Sequence, residues 1–139
     1  MANQFIPYGR QHITQTDIDA VVAVLQSDFL TQGSQVPAFE ERVATYTGAK
    51  FGVAVNSATS ALHIACLALG LGQGEKGKDD WLWTTPITFT ASANCGLYCG
   101  ANIDFVDIDP LTLNMSINAL AEKLQLAHAE NRLPKIVIP

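Results

Sequence analysis

Phe51-Gly52-Val53-Ala54-Val55-Asn56-Ser57-Ala58-Thr59-Ser60 is the stretch on which the fold turns. Its first five residues form a short apolar run of the length expected for a buried strand, and its last five form a polar turn of small side chains. Residues 61–69 then take up helical spacing, closed by Gly70. Strand, polar turn and helix in that order open a βα unit. Downstream the unit recurs: Trp81-Leu82-Trp83-Thr84-Thr85 reads as a strand, Pro86 as a stop, and the next helix runs through about Tyr98 with Gly100 behind it. A third strand, Ile103-Asp104-Phe105-Val106-Asp107, is separated by Asp109-Pro110 from a helix that starts near Ser116 and reaches about Glu130. Lys135-Ile136-Val137-Ile138-Pro139 begins a fourth strand.

Upstream, Ile18, Val21, Val22 and Leu25 recur at helical spacing within residues 14–30, and Thr16 followed by Asp19 reads as the helix start. Leu30-Thr31-Gln32-Gly33-Ser34 is a loop. Pro37 suits the first turn of a second helix that runs to about Tyr46, and Gly48 ends it. Strands alternating with helices of ten or more residues imply right-handed crossovers, so the fold class is α/β, a mostly parallel sheet with flanking helices. A parallel strand needs neighbours and covering helices. Ending on an apolar strand, the sequence therefore reads as truncated.

The composition narrows the function. At 139 residues and 48% hydrophobic content the chain can build a core. A net charge of -5 argues against nucleic acid as partner. No apolar run reaches the length of a membrane span, and Met1-Ala2-Asn3-Gln4 lacks the basic and apolar regions of a signal peptide, so the expectation is a cytoplasmic protein with no membrane partner. Cys66, Cys95 and Cys99 lack metal or redox spacing and read as buried small hydrophobes, and no metal is expected. His12, His63 and His128 are scattered, with His63 inside an apolar helix. Glu122, Lys123, Glu130 and Arg132 read as a solvated helix face.

In open α/β sheets ligands bind beyond the carboxyl ends of the strands, which directs attention to the turns after Val55 and Thr85. The first offers small side chains, free N–H groups and the positive end of a helix dipole. It could hold a phosphate through the amides of Ala58 and Thr59 and the hydroxyls of Ser57 and Thr59. The alternative is that Ser57 or Thr59 caps the helix. After the second strand, Phe89 could stack on a flat ring or simply belong to the core. Neither a Gly-x-Gly-x-x-Gly fingerprint nor a Walker-type loop is present.

Three phrases in this order, Asn56-Ser57-Ala58-Thr59-Ser60-Ala61-Leu62-His63, Thr84-Thr85-Pro86-Ile87-Thr88-Phe89-Thr90-Ala91-Ser92-Ala93-Asn94 and Phe105-Val106-Asp107-Ile108-Asp109, resemble the sugar aminotransferases of the DegT/DnrJ/StrS group. The resemblance runs from Ile6-Pro7-Tyr8 to the final strand and, within the group, is to the branch that makes pseudaminic acid. It implies the N-terminal part of a fold type I, pyridoxal-5′-phosphate-dependent transferase: residues 1–35 would be an N-terminal helix and active-site loop, and residues 36–139 the first part of the cofactor-binding large domain. It implies a homodimer with active sites at the subunit interface. Ser57, Ala58 and Thr59 would hold the cofactor phosphate, Phe89 would stack on its ring, and Tyr8, Asp28, Phe29, Leu30 and Thr31 would line the sugar-nucleotide site. The implied reaction moves an amino group from glutamate to C4 of a UDP-linked 4-keto-6-deoxy-N-acetylhexosamine. The Schiff-base residue falls after Pro139 in the group, so no catalytic residue is assigned here. Another nucleotide-sugar aminotransferase, a pyridoxal-phosphate sugar dehydratase with histidine in place of lysine, and a noncatalytic binding or assembly fragment are the alternatives.

Overall fold

The computed structural model describes residues 7, 9–74, 77 and 79–139. The element order is α1 (Gln15–Leu25), α2 (Gln35–Thr47), α3 (Ala58–Ala68), β1 (Trp81–Thr84), α4 (Ala91–Tyr98), β2 (Asn102–Phe105), α5 (Ile117–Ala129) and β3 (Ile136–Ile138). The chain divides into two compact units, Met1–Ala54 and Val55–Pro139.

In the first unit α1 begins one residue pair earlier than its sequence suggests. The capping box is Thr14 with Asp17, not Thr16 with Asp19, because Asp19 is engaged by the Gln15 amide at 2.8 Å. The helix also stops at Leu25 and does not continue to residue 30. Ser27 Oγ donates to the carbonyls of Val24 and Phe29 at 2.7 and 3.3 Å, and so ties off the helix end. Helix α2 closes as read, on Gly48 in the left-handed conformation at φ 73°.

Residues 51–55 differ from the sequence reading. They form no strand, since no ladder partner exists for them among the described residues. The Ala54 amide donates instead to Glu40 Oε1 at 2.8 Å. A short apolar run makes a segment fit for a sheet, but only a neighbouring strand makes it one.

The second unit is built on a three-stranded parallel sheet of order β2-β1-β3. The steps from β1 to β2 and from β2 to β3 run in opposite directions across it. A constant crossover hand must therefore put α4 and α5 on opposite faces, and the packing shows this. Leu82 and Trp83, successive residues of β1, point to opposite sides and are 0% and 2% exposed. Leu82 meets Cys66 of α3, Cys95 of α4, Leu71 and Ala101. Trp83 meets Val106, Met115 and Ala127, with Leu120 and Leu124 of α5 alongside.

On the α5 side the charged residues do more than face water. Lys123 pairs with Asp104 at 2.7 Å and lies 5.1 Å from the Trp83 ring centroid. The Arg132 guanidinium sits 5.2 Å from the Trp81 ring centroid. Long cationic stems thus seal the edge of an aromatic layer.

At the amino ends of the strands one cation joins distant parts of the unit. Lys135 Nζ donates to Gly70 O at 2.6 Å and to Asp80 Oδ2 at 2.9 Å, and the same carboxylate oxygen accepts from the Gly72 amide at 2.9 Å. This fixes the C-terminal end of α3 beside the start of β1 and β3. Burial pushes the Asp80 carboxyl upward, but Lys135 and the Gly72 amide outweigh it and hold the group below its ordinary range. A depressed folded-state value gives stability that is complete above the ordinary carboxylate range and is lost as pH falls through the folded value. Asp80→Asn should therefore lower the unfolding midpoint at neutral pH, and the gap from the parent chain should shrink on acidification in denaturant titrations run across pH.

Thr84 presents the opposite case. It is fully buried and its Oγ1 has no hydrogen-bond partner among the described residues. A stranded buried hydroxyl costs roughly 1–3 kcal/mol, and valine has nearly the same shape. Thr84→Val should raise stability by about 1 kcal/mol in chemical denaturation.

Candidate functional site

Helix α4 leaves the carboxyl end of β1 and returns to the amino end of β2, so its first turn lies at the carboxyl edge of the sheet. Helix α3 has its C-terminal end pinned at the amino edge by Lys135, so its first turn also points toward the carboxyl edge. The two helices pack against each other through Cys66 and Cys95. The turn Ser57-Ala58-Thr59 and the loop that carries Phe89 thus share the end of the sheet where ligands of α/β folds bind.

Ser57 is the N-cap of α3, extended at φ -160° and ψ 157°, and its hydroxyl accepts the Ser60 amide at 3.1 Å. Ser57 Oγ in turn donates to Ser60 Oγ at 3.1 Å, and Ser60 Oγ donates to Asn56 Oδ1 at 2.7 Å. The capping alternative is therefore realised by Ser57. The amides of Ala58 and Thr59 are first-turn groups that a helix cannot satisfy internally, and no partner is recorded for them among the described residues. Ala58 is exposed and Thr59 half-buried. Two outward N–H groups, a threonine hydroxyl and the helix dipole converge on this turn, a donor set that suits a phosphoryl group.

Phe89 is 71% exposed, so the reading as a core residue does not hold within this unit. Its carbonyl accepts the Ser92 amide at 2.9 Å, which sets the first turn of α4, while the ring is left free to cover a flat ligand. Neighbouring Thr88 and Ser92 share a hydroxyl contact of 3.5 Å.

The expected sugar-site residues belong to the first unit. Asp28 and Phe29 line a cavity of about 370 Å³ with Ala20, Val24, Ser27 and Gln35. Leu30 and Thr31 follow them in an exposed loop and do not line it. Tyr8 lies outside the described residues.

The cysteines, His63 and Asp109 make structural contacts. Burial pushes the Cys66 thiol up to about 12, and Cys95 at 3.7 Å adds to this, which makes it an inert thiol. Cys66 and Cys95 are buried as read, and Cys99 is half-buried against them. His63 packs edge-on against Tyr98, with ring centroids 5.4 Å apart. Asp109, in the third phrase of the resemblance, accepts the amides of Leu111 and Thr112 at 2.8 and 2.9 Å, and these hold its carboxyl below the usual range. The sequence reading did not find the roles of Asn56 and Ser60. A hydroxyl one turn into a helix below a serine cap was the available signal.

A parallel sheet with helices on both faces and a bare, small-residue helix start at its carboxyl edge is an α/β arrangement suited to a phosphate-bearing ligand. Residues 11–132 match the DegT/DnrJ/EryC1/StrS aminotransferase family, and the chain belongs to that family of sugar aminotransferases. It is 46% identical over 103 residues to the UDP-4-amino-4,6-dideoxy-N-acetyl-beta-L-altrosamine transaminase of Campylobacter jejuni, an alignment covering 74% of this chain and 26% of that protein. Among solved structures it is similar to Helicobacter pylori PseC, an aminotransferase involved in pseudoaminic acid biosynthesis, at a TM-score of 0.78 and 30% identity over 94% of this chain and 33% of that one. The PLP form of the sugar aminotransferase Spr1654 of Streptococcus pneumoniae matches at 0.75 and 32% identity over 84% and 29% of the two chains. The chain thus spans about a quarter to a third of the length of these relatives.

Removing the cap should loosen the turn. Ser57→Ala is expected to cost about 1 kcal/mol of stability and to speed hydrogen exchange at the Ser60 amide, measured by NMR, while exchange at Leu82 changes far less.

Proposed function

We propose that this chain forms the phosphate-gripping part of a pyridoxal-phosphate-dependent aminotransferase acting on a UDP-linked 4-keto-6-deoxy-N-acetylhexosamine, with glutamate as amino donor. The observation that carries the reading is the pair of amides at Ala58 and Thr59, without partners among the described residues, at the same carboxyl edge of a parallel sheet as an exposed Phe89. The family match and the names of the relatives support the substrate class.

In this reading Ser57, Ala58 and Thr59 hold the cofactor's phosphate and Phe89 covers one face of its ring. The cofactor supplies an electron sink for amino transfer when bound. What these residues contribute is orientation: a dianion fixed at one helix start and a ring fixed by an aromatic plate leave a bound pyridine little freedom to rotate. Asp28, Phe29, Leu30 and Thr31, with Tyr8, line the sugar-nucleotide side, and the active unit is a homodimer.

Pyridoxamine 5′-phosphate carries no aldehyde and so reports grip without a covalent bond. Its addition should shift the amide resonances of Ala58 and Thr59, and pyridoxamine, which lacks the phosphate, should not. Thr59→Glu places a carboxylate where the dianion would sit and should weaken the phosphorylated ligand roughly tenfold or more. Equal shifts from both ligands, or none from either, would sink the assignment.

A further inference from the structure

The two outer edges of the sheet are finished differently. In a parallel ladder alternate residues of a strand turn both backbone groups to the same neighbour. The amides of Asn102 and Val106 donate inward to Asp80 and Thr84, so Ile103 and Phe105 of β2 face away from the sheet. Phe105 is closed on both groups. Its amide donates to Asp104 Oδ1 at 2.8 Å, and its carbonyl accepts from Lys123 Nζ at 2.7 Å. Lys123 also pairs with Asp104 Oδ2 at 2.7 Å, which joins one carboxylate, one ammonium and the backbone of one residue in a ring. The ammonium lies 5.1 Å from the centroid of the buried Trp83 ring, so the ring of contacts rests on the core. To either side, the Ala101 amide donates to Gly96 O and Asp107 O accepts the Ser116 amide. At the far edge the Lys135 amide donates inward to Trp81, so Ile136 and Ile138 of β3 face outward, and no side chain closes their backbone groups among the described residues.

We propose that the Asp104–Lys123 pair is an edge guard, which occupies the backbone groups through which β2 of a second copy of this chain would add to the sheet. A two-fold axis would set β2 antiparallel to its own copy, and that pairing needs the outward groups of Ile103 and Phe105 together. With Phe105 closed, Ile103 is left as a ladder of one residue, shorter than a strand requires. Association through β2 is thereby excluded.

Lys123→Met keeps the apolar stem on Trp83 and removes both the donor to Phe105 and the partner of Asp104. Sedimentation equilibrium should show self-association about tenfold or more tighter than in the parent. Hydrogen exchange followed by NMR should place the contact: the Ile103 and Phe105 amides should slow as protein concentration rises in the variant and not in the parent. Because the readout is on β2 itself, association through β3 does not enter it. Lys123→Arg keeps a cation and a donor and should behave as the parent does. Should Lys123→Met fail to fold, Asp104→Asn removes the ion pair at almost unchanged shape and should tighten association about threefold with the same protection. Parent-like association in a folded variant would overturn the proposal, as would tighter association without slowing at Ile103 and Phe105, or protection of these amides in the parent.

Discussion

Burial of β1 on both faces is the constraint from which the second unit follows. A strand whose adjacent residues Leu82 and Trp83 both lose nearly all contact with water must have a covering layer on each side. With β2 and β3 as its lateral neighbours, α3 and α4 take one face and α5 the other. Opposite crossover directions with one hand meet that demand, and they also bring the starts of α3 and α4 to the same edge. The covering of one strand thus sets where the candidate site lies.

The second consequence is a division of labour along the helices. Lys135, Asp80 and Gly72 secure the amino edge with charge and backbone hydrogen bonds. The thiols of Cys66 on α3 and Cys95 on α4 fill the middle, where burial suppresses the ionisation of Cys66. At the carboxyl edge the start of α3 is left with the amides of Ala58 and Thr59, which have no partner among the described residues. Rigidity at one end and unspent donors at the other is what a site that holds a charged ligand in one orientation requires.

Much of this was legible in the sequence because it is local. The succession of periods located the described helices, except for the end of α1, and the strands at 81–84, 102–105 and 136–138 to within a few residues. What was not legible depends on partners. Residues 51–55 carry a strand's pattern, yet pairing is a relation between segments, and no segment close in sequence supplies it. Two overlapping Thr-x-x-Asp patterns compete for the start of α1, and the outcome hinges on which aspartate Gln15 occupies. Lys123 and Arg132 look like solvated charges until the sheet brings Trp83 and Trp81 beneath them. The proton direction from Ser57 to Asn56 requires three side chains in known rotamers, which spacing cannot give.

Both tryptophans of the chain lie on β1, one residue apart on the same side of the strand, each with a cation poised over its ring. Their emission is consequently a built-in optical gauge of whether α5 is seated. Were that helix to lift away, the Trp83 indole would meet water and lose the Lys123 ammonium over its ring, and the spectrum would move to longer wavelength.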